Sequence, residues 1–231
     1  MKQTLKKLDA NSNNFLGWVK MKLPLLFCLL FFWFHATGLT AQSRYTILND
    51  TLTLDMTIEE PGYEFDGDLD EYDEDEVLSY LFDNPEVTKL RVTGPGGYLP
   101  TASAIAEYLI RHEINTEAVG ECDSACAQIF LGGKTRTLAP GAKLGFHRPH
   151  LIKEREKQFY EENHVKKGWK DRFDYGIDTY DLAMLHMVKR IEYMLSRGVD
   201  IDFILKKYTT SSYDIWHPSK EELLKAGVLT K

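Results

Sequence analysis

Between residues 87 and 149, short apolar runs alternate with helix-patterned ones, and this alternation limits the fold more than any other feature. "VTKLRVTG" at 87–94 reads as a strand. "TASAIAEYLIRH" at 101–112 reads as a helix with Ala102, Ile105, Ala106 and Leu109 on its buried side. "TEAVGE" at 116–121 is a second strand, and "SACAQIFLGG" at 124–133 starts a second helix. "TRTLAP" and "AKLGFHRP" are two further strands with a Pro-Gly turn between them. Parallel strands need a crossover long enough to hold a helix, so this order predicts an α/β chain with a largely parallel sheet.

The flanks extend the pattern. Residues 44–58 alternate polar and apolar side chains, as a strand or a hairpin does. "DEVLSYLFDNP" puts Val77, Leu78, Leu81 and Phe82 on one helical face, and Pro85 ends it. Residues 151–177 are charged and aromatic with no clear period, as in an exposed insertion or lid. In "TYDLAMLHMVKRIEYMLSRG", Met184, Met187, Val188, Ile191, Met194 and Leu195 recur at helical spacing, which reads as a core face closed by Gly198. A short helix spans 200–207. A last one is marked by Ser219 and Glu222 as a capping box and ended by Gly227.

The N-terminus obeys different rules. "LPLLFCLLFFWFHATGLTA" at 23–41 is apolar, follows Lys20 and Lys22, and leaves a small residue, Ala41, before Gln42. That combination describes a secretory signal, with Met21 as the expected start. An uncleaved membrane anchor is the alternative, near the lower length limit for a span. Without residues 1–41, the remaining 42–231 form a single domain with 23 basic and 34 acidic residues, a net charge of −11. Such a chain is expected to bind neither nucleic acid nor anionic lipid, and to meet a membrane only through its N-terminal segment. Acid concentrates in "EFDGDLDEYDEDE" at 64–76, within a loop assigned to 59–76 and read as solvated. It is no EF-hand, because the twelfth position from Asp66 is Val77. Two cysteines remain after export, too few for a structural zinc site, and no metal or cofactor is expected.

Chemistry concentrates in "TGPGGYLPTASAIA", "ECDSACAQIFLGG" and "AKLGFHRP". Acyl transfer to a serine needs an exposed hydroxyl, an imidazole to take its proton, and backbone N–H groups aimed at the developing oxyanion. Ser124 falls where a strand gives way to a helix, and His147 falls at a strand end before Arg148 and Pro149. The glycine loop at 94–97 has too little bulk to keep its N–H groups from a substrate. A serine at a helix start is otherwise a simple N-cap, and a strand-end histidine is otherwise a satisfied core residue. His147 with His150 on a metal is a weaker alternative, since no carboxylate ligands accompany them. Cys122 and Cys126 flank the serine either as a disulfide that tightens its turn or as two small buried hydrophobes.

"GPGGYLPTASAIAEYL" resembles the Ser-Pro-Gly-Gly segment and following helix of the Clp-type serine peptidases, within the wider Clp/crotonase-like fold of repeated β-β-α units. "DSACAQIFLGGKTRTLAPGAKLGFHRP" resembles their nucleophile helix and the strand carrying the catalytic histidine, with His-Arg-Pro for His-Gln-Pro. "SKEELLKAGVL" resembles their terminal helix. The likeness covers residues 85–150 and 178–229 and is nearest to secreted relatives with a Cys-x-Ser-Ala-Cys motif. It implies Ser124 as nucleophile, His147 as base, Gly96 and Ala125 as oxyanion donors, and Asp214 as the acid, with Asp200 and Asp202 as rivals. It also implies a peptide or protein substrate and, by analogy, trimer-based self-association. The chain departs from the family in having Ala-Cys where Met-Gly follows the serine. It is also about two residues shorter between serine and histidine, and it carries 151–177 where the family builds its ring-to-ring handle. An exported chain has no ATP supply, so no unfoldase-fed barrel is expected. Three functions follow, in order: an exported serine hydrolase, a non-catalytic interaction protein on the same fold, and a crotonase-like acyl-thioester enzyme.

Overall fold

The computed structural model describes residues 43–59, 68–70 and 72–230. The signal or anchor segment at 23–41 and the start of the acidic run lie outside the described residues. Among the described residues no helix is long and apolar enough to cross a membrane.

A mixed, mostly parallel sheet organises the chain. β1 (Tyr45–Leu48) and β2 (Thr51–Asp55) form the expected hairpin, and β2 then pairs in parallel with β3 (Lys89–Gly94). β3 pairs in parallel with β4 (Asn115–Asp123). β4 is long enough to serve two further strands in succession. Residues 116–118 pair with β5 (Arg136–Leu138), and residues 121–123 pair with β6 (Lys143–Gly145). Strand alternation explains the burial, since Leu52, Leu54, Leu90 and Val92 all point inward and are fully buried. Each such side chain contributes about 1.5–3 kcal/mol by leaving water.

Seven helices complete the described chain: α1 (Tyr72–Asp83), α2 (Leu99–Arg111), α3 (Ala125–Leu131), α4 (Lys153–Lys167), α5 (Arg172–Ser196), α6 (Ile201–Thr209) and α7 (Lys220–Lys225). α2 packs between α1 and α3, and it buries Ala102, Ile105, Ala106 and Leu109 completely, as their spacing requires. At α7 the capping box is formed in both directions. Glu222 N–H donates to Ser219 Oγ at 3.2 Å, and Ser219 N–H donates to Glu222 Oε2 at 2.8 Å.

Three expectations need correction. The acidic run is not simply a solvated loop. α1 takes in residues 72–76, and Asp73 is fully buried, 3.2 Å from the equally buried Arg44. Tyr45 Oη also donates to Asp73, and Arg44 Nη2 donates to the Asp68 carbonyl at 2.8 Å. Burial pushes the Asp73 carboxyl above its ordinary range, against the pull of Tyr45 and Arg44. Phe82 is 77% exposed, because only the Val77–Leu81 stripe of α1 faces the core.

The methionine-bearing face of α5 is the third. Met194 is buried, but Met184, Val188 and Leu195 are 42%, 47% and 46% exposed. α5 has 25 residues, about 37 Å of helix. Its C-terminal end packs on α3, where Tyr193 Oη donates to the Gln128 carbonyl at 2.8 Å. Its N-terminal part instead pairs with α4, which has no buried residue. Residues 151–177 thus fold as an exposed helical hairpin, turned by Gly168 in the left-handed conformation and extended by the Asp171 cap of α5.

Candidate active site

The site forms where β4 outruns β5 and takes β6 as its neighbour. Ser124 is the hinge between β4 and α3, with φ 54° and ψ −113°. Few non-glycine residues hold that conformation, which costs about 1–3 kcal/mol and recurs at functional turns. Its backbone N–H donates to the Gly145 carbonyl at 2.9 Å. The hydroxyl does not cap α3 and makes no hydrogen bond among the described residues, so the serine is not there as an N-cap.

The glycine loop lies directly against this turn. At Gly96, with φ 106°, a Cβ would sit 2.7 Å from Ala125 N and 2.9 Å from Ser124 Cβ, so only glycine fits. Among the described residues the N–H groups of Gly96 and Ala125 have no acceptor. Two uncommitted donors therefore stand at the serine, as an oxyanion site requires. Cys122 and Cys126 are joined in a disulfide across the same turn, with a Cα–Cα separation of 5.1 Å, and both are fully buried.

His147 follows β6 and is half-buried. Phe146 exchanges both backbone hydrogen bonds with Trp216 at 2.9 Å, and Arg148 N–H donates to the Thr210 carbonyl at 3.3 Å. These contacts clamp the histidine on both sides. Its Nδ1–H donates to the Arg148 carbonyl at 2.8 Å, which fixes the tautomer and leaves Nε2 as a proton acceptor. Burial lowers the His147 pKa below the usual histidine value, helped by the charges of His150 and Lys207 and opposed by the Arg148 bond and by Asp123. The imidazole is therefore neutral at pH 7, the form a general base needs. No hydrogen bond joins its ring to Ser124 Oγ in this structure.

The candidate acids are not drawn to that ring. Asp214 is exposed in a turn, its N–H donating to Ser211 O at 3.3 Å, and it makes no hydrogen bond to His147. Asp200 caps α6, accepting from Asp202 N at 2.9 Å and Phe203 N at 3.3 Å, and Asp202 is exposed in the first turn of that helix. The Arg148 carbonyl fills the place at Nδ1 that a carboxylate was expected to take. His150 stands with its ring centroid 6.0 Å from that of His147. Among the described residues no three His, Cys, Asp or Glu side chains gather as a metal site.

Sequence reasoning missed a carboxylate–imidazole hydrogen bond next to the serine. Asp123, largely buried, accepts from His217 Nε2 at 2.9 Å. Gly145 makes room for it, since a Cβ there would meet Asp123 Oδ1 at 2.0 Å. No spacing announces this contact, because His217 reaches the site only through the bridge between Phe146 and Trp216. The chain matches no protein-family model, and no curated protein matches it in sequence.

Proposed function

We propose that the chain is a serine hydrolase with a Clp-like arrangement, acting on peptide bonds of exported protein or peptide. The observation that carries this reading is Ser124 itself: a residue held at positive φ on a strand-to-helix turn, its hydroxyl uncommitted beside two free N–H groups. Ser124 Oγ attacks the carbonyl carbon while His147 Nε2 takes its proton. Gly96 and Ala125 N–H hold the resulting oxyanion. Collapse expels the amine, which takes the proton from His147, and water then hydrolyses the acyl ester by the same route. The disulfide agrees with an oxidising compartment, as the segment at 23–41 does with export.

The test is covalent labelling of the purified chain by a fluorophosphonate. Labelling of the parent chain that is lost in both Ser124→Ala and His147→Ala supports the reading. A second reading, a binding protein on the same fold, is favoured by the absence of a Ser124–His147 hydrogen bond and of a carboxylate at Nδ1. A folded parent chain that takes no label decides for it.

A further inference from the structure

A groove of about 1120 Å³ lies between the exposed hairpin of α4 and α5 and the starts of α1 and α2. Tyr98, on its wall, is two residues beyond Gly96, whose backbone lies against Ser124. Leu151, also on its wall, is four residues beyond His147. The loop with the oxyanion donor and the strand end with the base thus both lead into the groove. Its apolar side chains are open to solvent: Tyr98, Leu151, Phe159, Leu182 and Leu185 are between 40% and 58% exposed. Side chains of this size, gathered in one concavity, mark a binding surface.

The charge of the groove is one-sided. Asp70, Glu156, Glu162, Asp178 and Asp181 stand on its walls against Arg155 and Lys167, five against two, a net −3. His186 adds no charge at pH 7, because burial, with Arg190 and Lys189 nearby, holds its pKa below the usual histidine value. Among the described residues none of the five carboxylates pairs with a cation. Their hydrogen bonds come from neutral groups. The Tyr175 hydroxyl donates to Glu156, Trp169 Nε1 to Asp178, Gln158 to Glu162, and the Tyr72 and Asp73 backbone N–H groups to Asp70. Such bonds orient a carboxylate and leave its charge in place.

We propose that this groove binds an extended peptide that places a lysine or arginine side chain among these carboxylates. This deepens the hydrolase reading and rests on it for the statement that the peptide is a substrate. A cationic side chain gains charge-assisted hydrogen bonds there, and the Tyr98, Phe159 and Trp169 rings add cation–π contact. The volume exceeds what one side chain fills, so neighbouring residues of the peptide cover the apolar part.

The experiment titrates the folded Ser124→Ala chain, so that nothing is turned over, with acetylated and amidated Ala-Phe-Arg-Leu-Ala. The same peptide with citrulline for arginine, neutral and of the same shape, is the comparison. The arginine peptide is expected to bind at least tenfold more tightly at about 50 mM salt, and the difference to narrow at about 500 mM. The preference is expected to vanish when Glu162→Gln, Asp178→Asn and Asp181→Asn are combined, all three being exposed positions. It is expected to persist in a variant of equal net charge, Glu86→Gln with Glu107→Gln and Glu221→Gln, which lie outside the groove. Equal binding of the two peptides overturns the proposal. So does a preference that survives the groove variant, or one that both variants lose alike. Binding of neither peptide also overturns it, and a chain that then sediments as a dimer points to a second copy as the occupant. Fluorophosphonate labelling of the parent chain is read separately. A charge preference in a chain that takes no label upholds the groove as that of a binding protein and retires the hydrolase reading alone.

Discussion

Ser124 N–H donates to the Gly145 carbonyl at 2.9 Å, so the turn that carries the serine is bonded to the strand that leads into the histidine. Gly145 also gives Asp123 the space to reach His217. One position therefore bears on both contacts.

Replacing Gly145 with alanine tests that coupling. The added methyl falls 2.0 Å from Asp123 Oδ1 and 2.5 Å from Ile215 Cγ2, so β6 must part from β4 or Asp123 must leave His217. The expected cost is about 1–3 kcal/mol of stability, the range for overpacking a filled site. Fluorophosphonate labelling of Ser124 is expected to slow at least tenfold. A melting curve and a labelling time course, taken on the same preparation, measure both.

The disulfide is the second test. Cys122 lies at the end of β4 and Cys126 in the first turn of α3, so the bond staples the strand end before Ser124 to the helix start after it. The closed loop is short, and loop-closure entropy gives it about 2 kcal/mol. Cys122→Ser with Cys126→Ser is expected to lose that much in denaturant unfolding. The serine turn, freed to relax from its positive φ, is expected to label more slowly. Unchanged labelling in the double variant would show that the turn is held without the disulfide, by α3 packing and the bond to Gly145.

Arg44 and Asp73 provide the third. Both side chains are fully buried, and Asp73 also takes a hydrogen bond from Tyr45. Asp73→Ala leaves the guanidinium buried without its carboxylate, and the expected loss is about 3–5 kcal/mol. Arg44→Met combined with Asp73→Leu removes both charges and is expected to recover most of it. Chemical denaturation of the parent and the two variants measures both changes.

What the sequence disclosed follows a physical division. The sheet strands and α2 were legible because each buries one face whose period appears in the residue order, as Leu90 and Val92 do on β3. The serine turn was legible because GPGG, a serine between two cysteines and a strand-end histidine occur in chain order. The face of α5 was misread because Met184 and Val188 have the spacing of a core stripe, and spacing does not say whether a partner covers it. Asp123 with His217 was hidden because it joins segments whose meeting only the tertiary fold creates.

Lys207 is the last test and the least intuitive. Burial lowers its pKa from 10.5 to about 8, with the charge of Arg190 adding to the effect. The unfolded chain therefore binds a proton more readily than the folded one, and stability rises as pH climbs from about 8 to about 10.5. Below pH 8 the full penalty is present, about 3 kcal/mol for a shift of this size. Lys207→Met keeps most of the volume and removes the charge, so the variant is expected to be more stable than the parent by about 1–3 kcal/mol at pH 7. That advantage is expected to shrink through pH 8–10 and to be gone above 10.5. Urea unfolding of both chains at pH 7, 9 and 10.5 measures the difference. A variant less stable than the parent at pH 7 would mean that Lys207 is compensated in the folded chain, contrary to its surroundings.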